Sequence, residues 1–277
     1  MKTVIHERYT VETVVEELKK LTQEDIPQEY RNWAYAGILF ADKYADADIQ
    51  DFPNNIFGYI KKASMPGNVR DLVEGILNQG IEDGIGTAAF NLAELYYTGQ
   101  IGEQSYEKAA EFYEMAAGSD DEGAVEKMGF CYYYGRHCGT DYKKAFELFS
   151  KGAFTGRVAS LYKIGDMYKN GYYVKENKTE AFRIYSRCID MINHNMDEAE
   201  NYEADVYVRY ADCYLNGTGC ETDVMKALYW AQRAEYCFRK RERNSDPYAK
   251  HGTGWAMNLI TSCRQILDAE NETARCS

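Results

Sequence analysis

Proline is scarce in this sequence, with four in 277 residues. That argues against a sheet sandwich closed by many turns and leaves long helices unbroken. Histidine is equally scarce. His6, His137, His194 and His251 are scattered, and only His137 adjoins a cysteine. A structural zinc site asks for paired ligands at short spacing, such as C-x2-C with a second pair, so no metal is expected. The pair His194 and Glu198 falls in a polar stretch and reads as solvated. No run approaches the roughly 18 to 20 consecutive apolar residues of a bilayer-spanning helix, which excludes membrane insertion by that route.

Positive charge is also in short supply. Lys and Arg total 32 against 44 Asp and Glu, a net charge of -12, which argues against direct, unspecific binding of nucleic acid or an anionic membrane. The opening MKTVIHERYTVETVVEELKKL lacks the continuous apolar stretch of a secretory leader. A cytoplasmic protein with reduced thiols is therefore expected. No G-x-S-x-G or P-loop pattern occurs. Gly84 to Ala89 matches the letters of a G-x-G-x-x-A turn, but that mechanism needs a preceding strand, and helices flank it here. No nucleophile, base and orienting group can be assembled, so neither enzyme activity nor a cofactor is expected.

What the sequence does have is a repeat. Four windows align without internal gaps: LAELYYTGQIGEQSYEKAAEFYEMAA from Leu92, MGFCYYYGRHCGTDYKKAFELFSKGA from Met128, IGDMYKNGYYVKENKTEAFRIYSRCI from Ile164 and YADCYLNGTGCETDVMKALYWAQRAE from Tyr210. Their starts are offset by 36, 36 and 46 residues. Tyr96, Tyr132, Tyr168 and Tyr214 coincide, as do Gly99, Gly135, Gly171 and Gly217, and Ala109, Ala145, Ala181 and Ala227. Each window reads as two helices. Leu92, Leu95 and Tyr96 recur at the spacing of one helix face, a glycine suits the left-handed closing position, and Ala109, Phe112, Tyr113 and Ala116 repeat the pattern. The aligned alanines, with Gly129 and Gly165, fit places where helices approach too closely for a larger side chain. One such hairpin cannot bury its apolar face alone, so neighbours must stack.

These residues resemble the Sel1-like repeat, a relative of the tetratricopeptide repeat with a longer inter-helix loop. The clearest matches are Gly165-Asp166-Met167-Tyr168 with Gly171, and Gly217-Thr218-Gly219 leading to Lys226-Ala227-Leu228-Tyr229-Trp230. The resemblance implies an all-α fold, a right-handed α-solenoid of stacked helix hairpins. The expected organisation is an N-terminal helical cap with a degenerate repeat over 1–85, four repeats over 86–246, and a capping helix and tail over 247–277. In the first segment, helices are expected from the cap Thr10 through Leu21, from Pro27 in a first turn, and over Asn68 to Gln79, with Tyr44 and Asn54 to Ala63 in degenerate-repeat positions. The ten-residue excess of the third repeat is placed between Met191 and Glu203.

The resemblance further implies adaptor or scaffold work, with a peptide or partner protein held in the concave groove lined by the first helices. Counting from tyrosines taken as buried, three solvent-facing rows follow: Asn91, Lys127, Lys163 and Arg209; Glu94, Phe130, Asp166 and Asp212; Tyr97, Tyr133, Lys169 and Leu215. Aromatics in such rows are the usual anchors of interfaces, although packing beneath a neighbouring loop or helix would also explain them. The basic run Arg239-Lys240-Arg241-Glu242-Arg243 complements a helix C-terminus or offers a docking point for an acidic partner.

Two other functional classes remain open from the sequence. The resemblance also implies a secreted virulence or immune-modulating protein, since a cysteine-rich branch of the family is exported and staples its hairpins with disulfides, and Cys131 with Cys138 recurs in register as Cys213 with Cys220. Small apolar core packing explains the same cysteines. The acidic surface also suits an inhibitor occupying a nucleic-acid site on a defence nuclease. Oligomeric state is not legible in the sequence.

Overall fold

The computed structural model describes residues 8–44, 48–56, 65–119, 121–137, 139–194, 202–244, 246 and 248–276. All regular structure among them is helical: α1 (Val11–Gln23), α2 (Gln28–Lys43), α3 (Asp51–Ile56), α4 (Gly67–Glu82), α5 (Gly86–Thr98), α6 (Tyr106–Gly118), α7 (Glu122–Tyr134), α8 (Tyr142–Phe154), α9 (Val158–Asn170), α10 (Lys178–His194), α11 (Glu203–Asn216), α12 (Val224–Arg243) and α13 (Ala249–Cys276). The chain forms two compact units, Met1–Thr140 and Asp141–Ser277. Their boundary falls inside the second repeat, between α7 and α8.

The first unit begins with a reciprocal cap. Thr10 accepts from the Thr13 amide at 3.3 Å, and Thr13 Oγ1 accepts from the Thr10 amide at 2.8 Å, satisfying two donors that a helix start leaves open. Val14, Leu18 and Leu21 then face inward, one helix turn apart, onto Tyr30, Trp33, Phe52, Val73, Ile76 and Leu77. Trp33 buries its ring and donates to the Phe52 carbonyl at 3.0 Å. Pro27 stands one residue outside α2, at its cap rather than in its first turn. Of the expected degenerate repeat, Tyr44 closes α2 and lies 4.8 Å from Phe40; residues 57–63 lie outside the described residues. α4 packs on α5, α5 on α6 and α6 on α7.

In the second unit α8 packs on α9, α9 on α10, α10 on α11, and α12 on both α11 and α13. α10 runs to His194, and the rest of the inserted segment, 195–201, is outside the described residues, as is Pro247. The closing helix runs from Ala249 to Cys276, so the segment expected to hold a capping helix and a tail is helical almost throughout.

The repeat register has a direct physical cause. Gly99, Gly135, Gly171 and Gly217 end α5, α7, α9 and α11 at φ values of 76, 64, 70 and 65°, a region that costs any residue with a Cβ. The four aligned alanines are completely buried. Gly165 is a contact glycine: a Cβ there would come within 2.6 Å of the Tyr185 ring. A further periodic position escaped the sequence reading. Ser105, Asp141, Asn177 and Asp223, each thirteen residues into its window, accept from the amides of Lys108, Lys144, Glu180 and Lys226 and start the second helix of every repeat.

Replacing Gly135 by alanine should cost about 1–2 kcal/mol, and Asn177→Ala about 1 kcal/mol. Urea denaturation followed by circular dichroism checks both. A Gly135→Ala protein as stable as the parent would contradict the account of the hairpin turn.

Candidate functional site

The face on which the expected rows lie is rotated by one residue from the sequence reading. Tyr96, Tyr132, Tyr168 and Tyr214 are only half-buried. The fully buried positions are their predecessors, Leu95, Cys131, Met167 and Cys213, all at 0% exposure. Because successive residues are about 100° apart on a helix, this rotation turns part of the rows inward. Tyr97, Lys163 and Asp166, expected to face solvent, are only 7, 2 and 7% exposed. Asn91, Glu94, Lys127, Phe130, Tyr133, Lys169, Arg209, Asp212 and Leu215 are half-buried.

In the first unit Glu94 of α5 takes the ammonium of Lys127 of α7 at 2.9 Å and the hydroxyl of Tyr113 from α6. Tyr97 lies beneath a cationic layer, with Lys127 Nζ 5.7 Å and the Arg136 guanidinium 5.0 Å from its ring. Arg136 also stands 5.5 Å from Tyr106 and 4.7 Å from Tyr134. Phe130 stacks parallel to Tyr134 at 6.3 Å, and Tyr133 meets Tyr134 edge-on at 4.9 Å. Tyr134 keeps 48% of its surface exposed. Residues 130 to 136 therefore present aromatic rings and one arginine.

The same arrangement returns in the second unit in stronger form. Asp166 of α9 is gripped by Arg209 of α11 through two hydrogen bonds, 2.6 and 2.9 Å, and by the Tyr185 hydroxyl of α10 at 2.8 Å. Lys163 reaches it from one turn away at 3.3 Å. Arg209 lies over Tyr162 at 4.6 Å and near Trp255 at 5.6 Å. Asp212 binds Lys169 at 2.5 Å, and Asp205 binds Arg241 at 2.5 Å, whose other partner is Asp246. Arg241 is thereby withdrawn from the basic run.

Burial would raise the Asp166 carboxyl, but Arg209 and Lys163, with the hydrogen bonds from Arg209 and Tyr185, outweigh it and hold the group well below the usual carboxylate range. Burial, reinforced by the neighbouring Asp166 charge, drives the Tyr185 hydroxyl up. Such a carboxylate stays ionised and such a phenol stays neutral throughout the physiological range. Neither is poised for proton transfer near neutral pH, and their partners occupy their bonding directions. The chemistry of this cluster is cohesion between consecutive hairpins.

Sequence reasoning missed Tyr113 and Tyr185. The signal is in the register of the first three repeats, Glu94 with Tyr113 and Asp166 with Tyr185 against Phe130 with Phe149; the fourth breaks it, with Asp212 and Ala231 in these places and Lys169 as the partner of the acid. Cys131 and Cys213 follow the core explanation, occupying the fully buried position held by Leu95 and Met167, while Cys220 is half-buried. Cys213 and Cys220 stand as separate thiols, Cys220 Sγ donating to the Cys213 carbonyl at 3.5 Å; Cys138 lies outside the described residues. Burial raises the Cys213 thiol to about 12. Among the described residues no group of three His, Cys, Asp or Glu side chains could hold a metal ion, and no helix is long and apolar enough to cross a membrane.

Known proteins share the repeat and the fold. The Sel1 repeat family model matches residues 86–121, 124–153, 158–191 and 204–236. The crystal structure of a Sel1 repeat protein from Oxalobacter formigenes superposes with a TM-score of 0.56 at 19% identity, over 89% of this chain and 96% of that one. A protective antigen present in uropathogenic Escherichia coli strains, described as displaying an SLR fold, superposes with a TM-score of 0.56 at 17% identity, over 91% of this chain and 50% of that one. No curated protein matches by sequence. At these identities the two structures speak for the fold, an α-solenoid of stacked helix hairpins.

Asp166→Asn should destabilise the second unit by about 3 kcal/mol, because it removes the carboxylate shared by the buried Lys163 and the half-buried Arg209, whose remaining carboxylate neighbour, Asp205, is 3.8 Å away. The sign of the pH effect follows from the lowered carboxyl. The stabilisation is complete above the unfolded-state value, near 4, and is lost as pH falls from there through the folded-state value. Thermal unfolding from pH 7 down to pH 2 should show a steep acid limb in the parent and a shallower one in Asp166→Asn. Identical limbs would contradict the assignment.

Proposed function

The chain belongs to the Sel1 repeat family, and on that premise we propose that it is a non-enzymatic scaffold holding a peptide or partner protein against the first-helix faces of its repeats. The observation that carries this reading is the departure of the second repeat from its neighbours. Where α5 and α9 place a carboxylate tied into a polar cluster, α7 places Phe130, stacked on the 48%-exposed Tyr134 and flanked by Tyr133. The polar seam is replaced there by aromatic surface. Rigid aromatics with two rotatable bonds lose little entropy on binding, which is why they serve as anchors.

Contact roles divide accordingly. In the first unit Phe130, Tyr133 and Tyr134 supply apolar area beside the half-buried Asn91; in the second unit, taken by itself, Lys169, Asp212 and Leu215 are the half-buried positions of the corresponding rows. Glu94, Lys127 and Arg209 act through the ion pairs that hold the first helices in place. Tyr97, Lys163 and Asp166 are too deeply buried to touch a ligand and act by holding the helices in register. A reducing compartment, the cytoplasm, fits the separate thiols of Cys213 and Cys220.

Two measurements check this reading. Phe130→Ala with Tyr133→Ala should abolish capture of the partner from a lysate of the source cell, with circular dichroism unchanged. Retention of the same partner by this variant would overturn the assignment of the anchor. Thiol titration of the denatured protein, purified without reductant, should return all eight cysteines. A count of six or fewer would instead support disulfide-stapled hairpins and export.

A further inference from the structure

The outer helix of the fourth repeat departs from its three counterparts. At the position of Met225 the other repeats carry Glu107, Lys143 and Thr179; at Tyr229 they carry Glu111, Glu147 and Arg183; at Tyr236 they carry Gly118, Phe154 and Asp190. All these positions are exposed, so eight of the nine counterparts are residues that solvent alone would favour. In the fourth repeat the three are 63, 53 and 66% exposed. They share one stripe of α12, at spacings of four and seven residues. The opposite side of the helix supplies the core through Ala227, Ala231, Ala234 and Phe238, so the stripe is not needed for packing.

The surface is also organised. Tyr229 sits edge-on to Trp230 at 5.1 Å, and its hydroxyl accepts from Arg233 Nη1 at 3.4 Å while Arg233 Nη2 donates to the Tyr207 hydroxyl at 2.9 Å. The ring is thus braced by a neighbour before anything binds. Towards the helix C-terminus the same stripe continues as Arg239, Lys240 and Arg243, all exposed. Arg239 is paired with Glu235 at 2.8 Å and also reaches Met257 Sδ at 3.5 Å. In a chain of net charge -12, apolar anchors beside a positive helix end select for a ligand that combines aromatic or aliphatic side chains with negative charge.

We propose that the outer face of α12, from Met225 to Arg243, is a docking surface for an acidic peptide segment bearing aromatic or leucine anchors. The anchors cover Met225, Tyr229 and Tyr236, and the carboxylates meet Arg239, Lys240 and Arg243. This surface lies on the second helix of its hairpin and is independent of the first-helix faces assigned above. The chain's own negative charge disfavours an anionic membrane as the occupant.

Panning a random dodecapeptide phage library against the full chain tests the proposal. Selected peptides should be rich in Asp and Glu and contain at least one aromatic or leucine residue. Fluorescence polarisation with the consensus peptide should show binding weakened about tenfold or more by Tyr229→Ala with Tyr236→Ala, and weakened by raising salt or by Lys240→Glu with Arg243→Glu. Exposure of all four positions means that these variants fold, which thermal unfolding checks. Phe130→Ala with Tyr133→Ala should bind the peptide like the parent; loss there would move the site to the first-helix face and overturn the proposal. So would an absence of enrichment, or neutral or basic consensus peptides. A dimer in light scattering that Tyr229→Ala with Tyr236→Ala converts to monomer would show a second copy to be the occupant, and sedimentation with phosphatidylserine vesicles lost in the same variant would show a membrane.

Discussion

Asp166 is the point on which the second unit turns. A carboxylate held at 7% exposure is tolerated only because Arg209, Lys163 and Tyr185 supply charge and donors from the same helix and from two others. Ionised groups taken out of water cost several kcal/mol each unless they are matched in this way. The match fixes α9, α10 and α11 relative to one another more tightly than apolar packing would, because a two-point arginine–carboxylate contact has one good geometry. Glu94, Tyr113 and Lys127 do the same for α5, α6 and α7. Each cluster joins a hairpin to the first helix of the next.

The second repeat shows the apolar alternative within the same chain. Phe130 and Phe149 stand where the neighbouring repeats have an acid and a tyrosine, so neither a carboxylate nor a hydroxyl is left without a partner. The consequence for function is local. The face that is elsewhere committed to ion pairing becomes an aromatic surface around Phe130, Tyr133 and Tyr134. A parallel departure occurs on α12, where Met225, Tyr229 and Tyr236 break a polar outer pattern. In a repeat protein, positions that abandon the shared pattern without serving the core are where individual function is written.

The hairpins were legible because a left-handed glycine, a buried alanine and a helical apolar period each require a particular residue type at a fixed spacing. Gly99 and its equivalents and Ala109 and its equivalents occupy the expected places, and four Sel1 repeats match over the same region. The orientation of the faces was less legible. Tyrosine is amphipathic and can lie half in the core, so taking Tyr96 and Tyr168 as fully buried shifted the whole face by one residue, when Leu95 and Met167 hold that place. The ion pairs were hidden for a related reason. Lys163, Asp166 and Arg209 look solvated in sequence; the pairing of acid with tyrosine one helix later, Glu94 with Tyr113 and Asp166 with Tyr185, marks two of the clusters, while Asp212, with Ala231 in the tyrosine's place, pairs with Lys169 unmarked.

The most direct test of this account is a double-mutant cycle on Asp166→Asn and Arg209→Gln, read by urea denaturation at pH 7. If the pair clamps α9 to α11 as described, each single change is strongly destabilising and the two are coupled by about 1–3 kcal/mol. Effects that add within about 0.5 kcal/mol would show the residues to be independent, and the polar clusters would lose their place as the contacts that hold successive hairpins together.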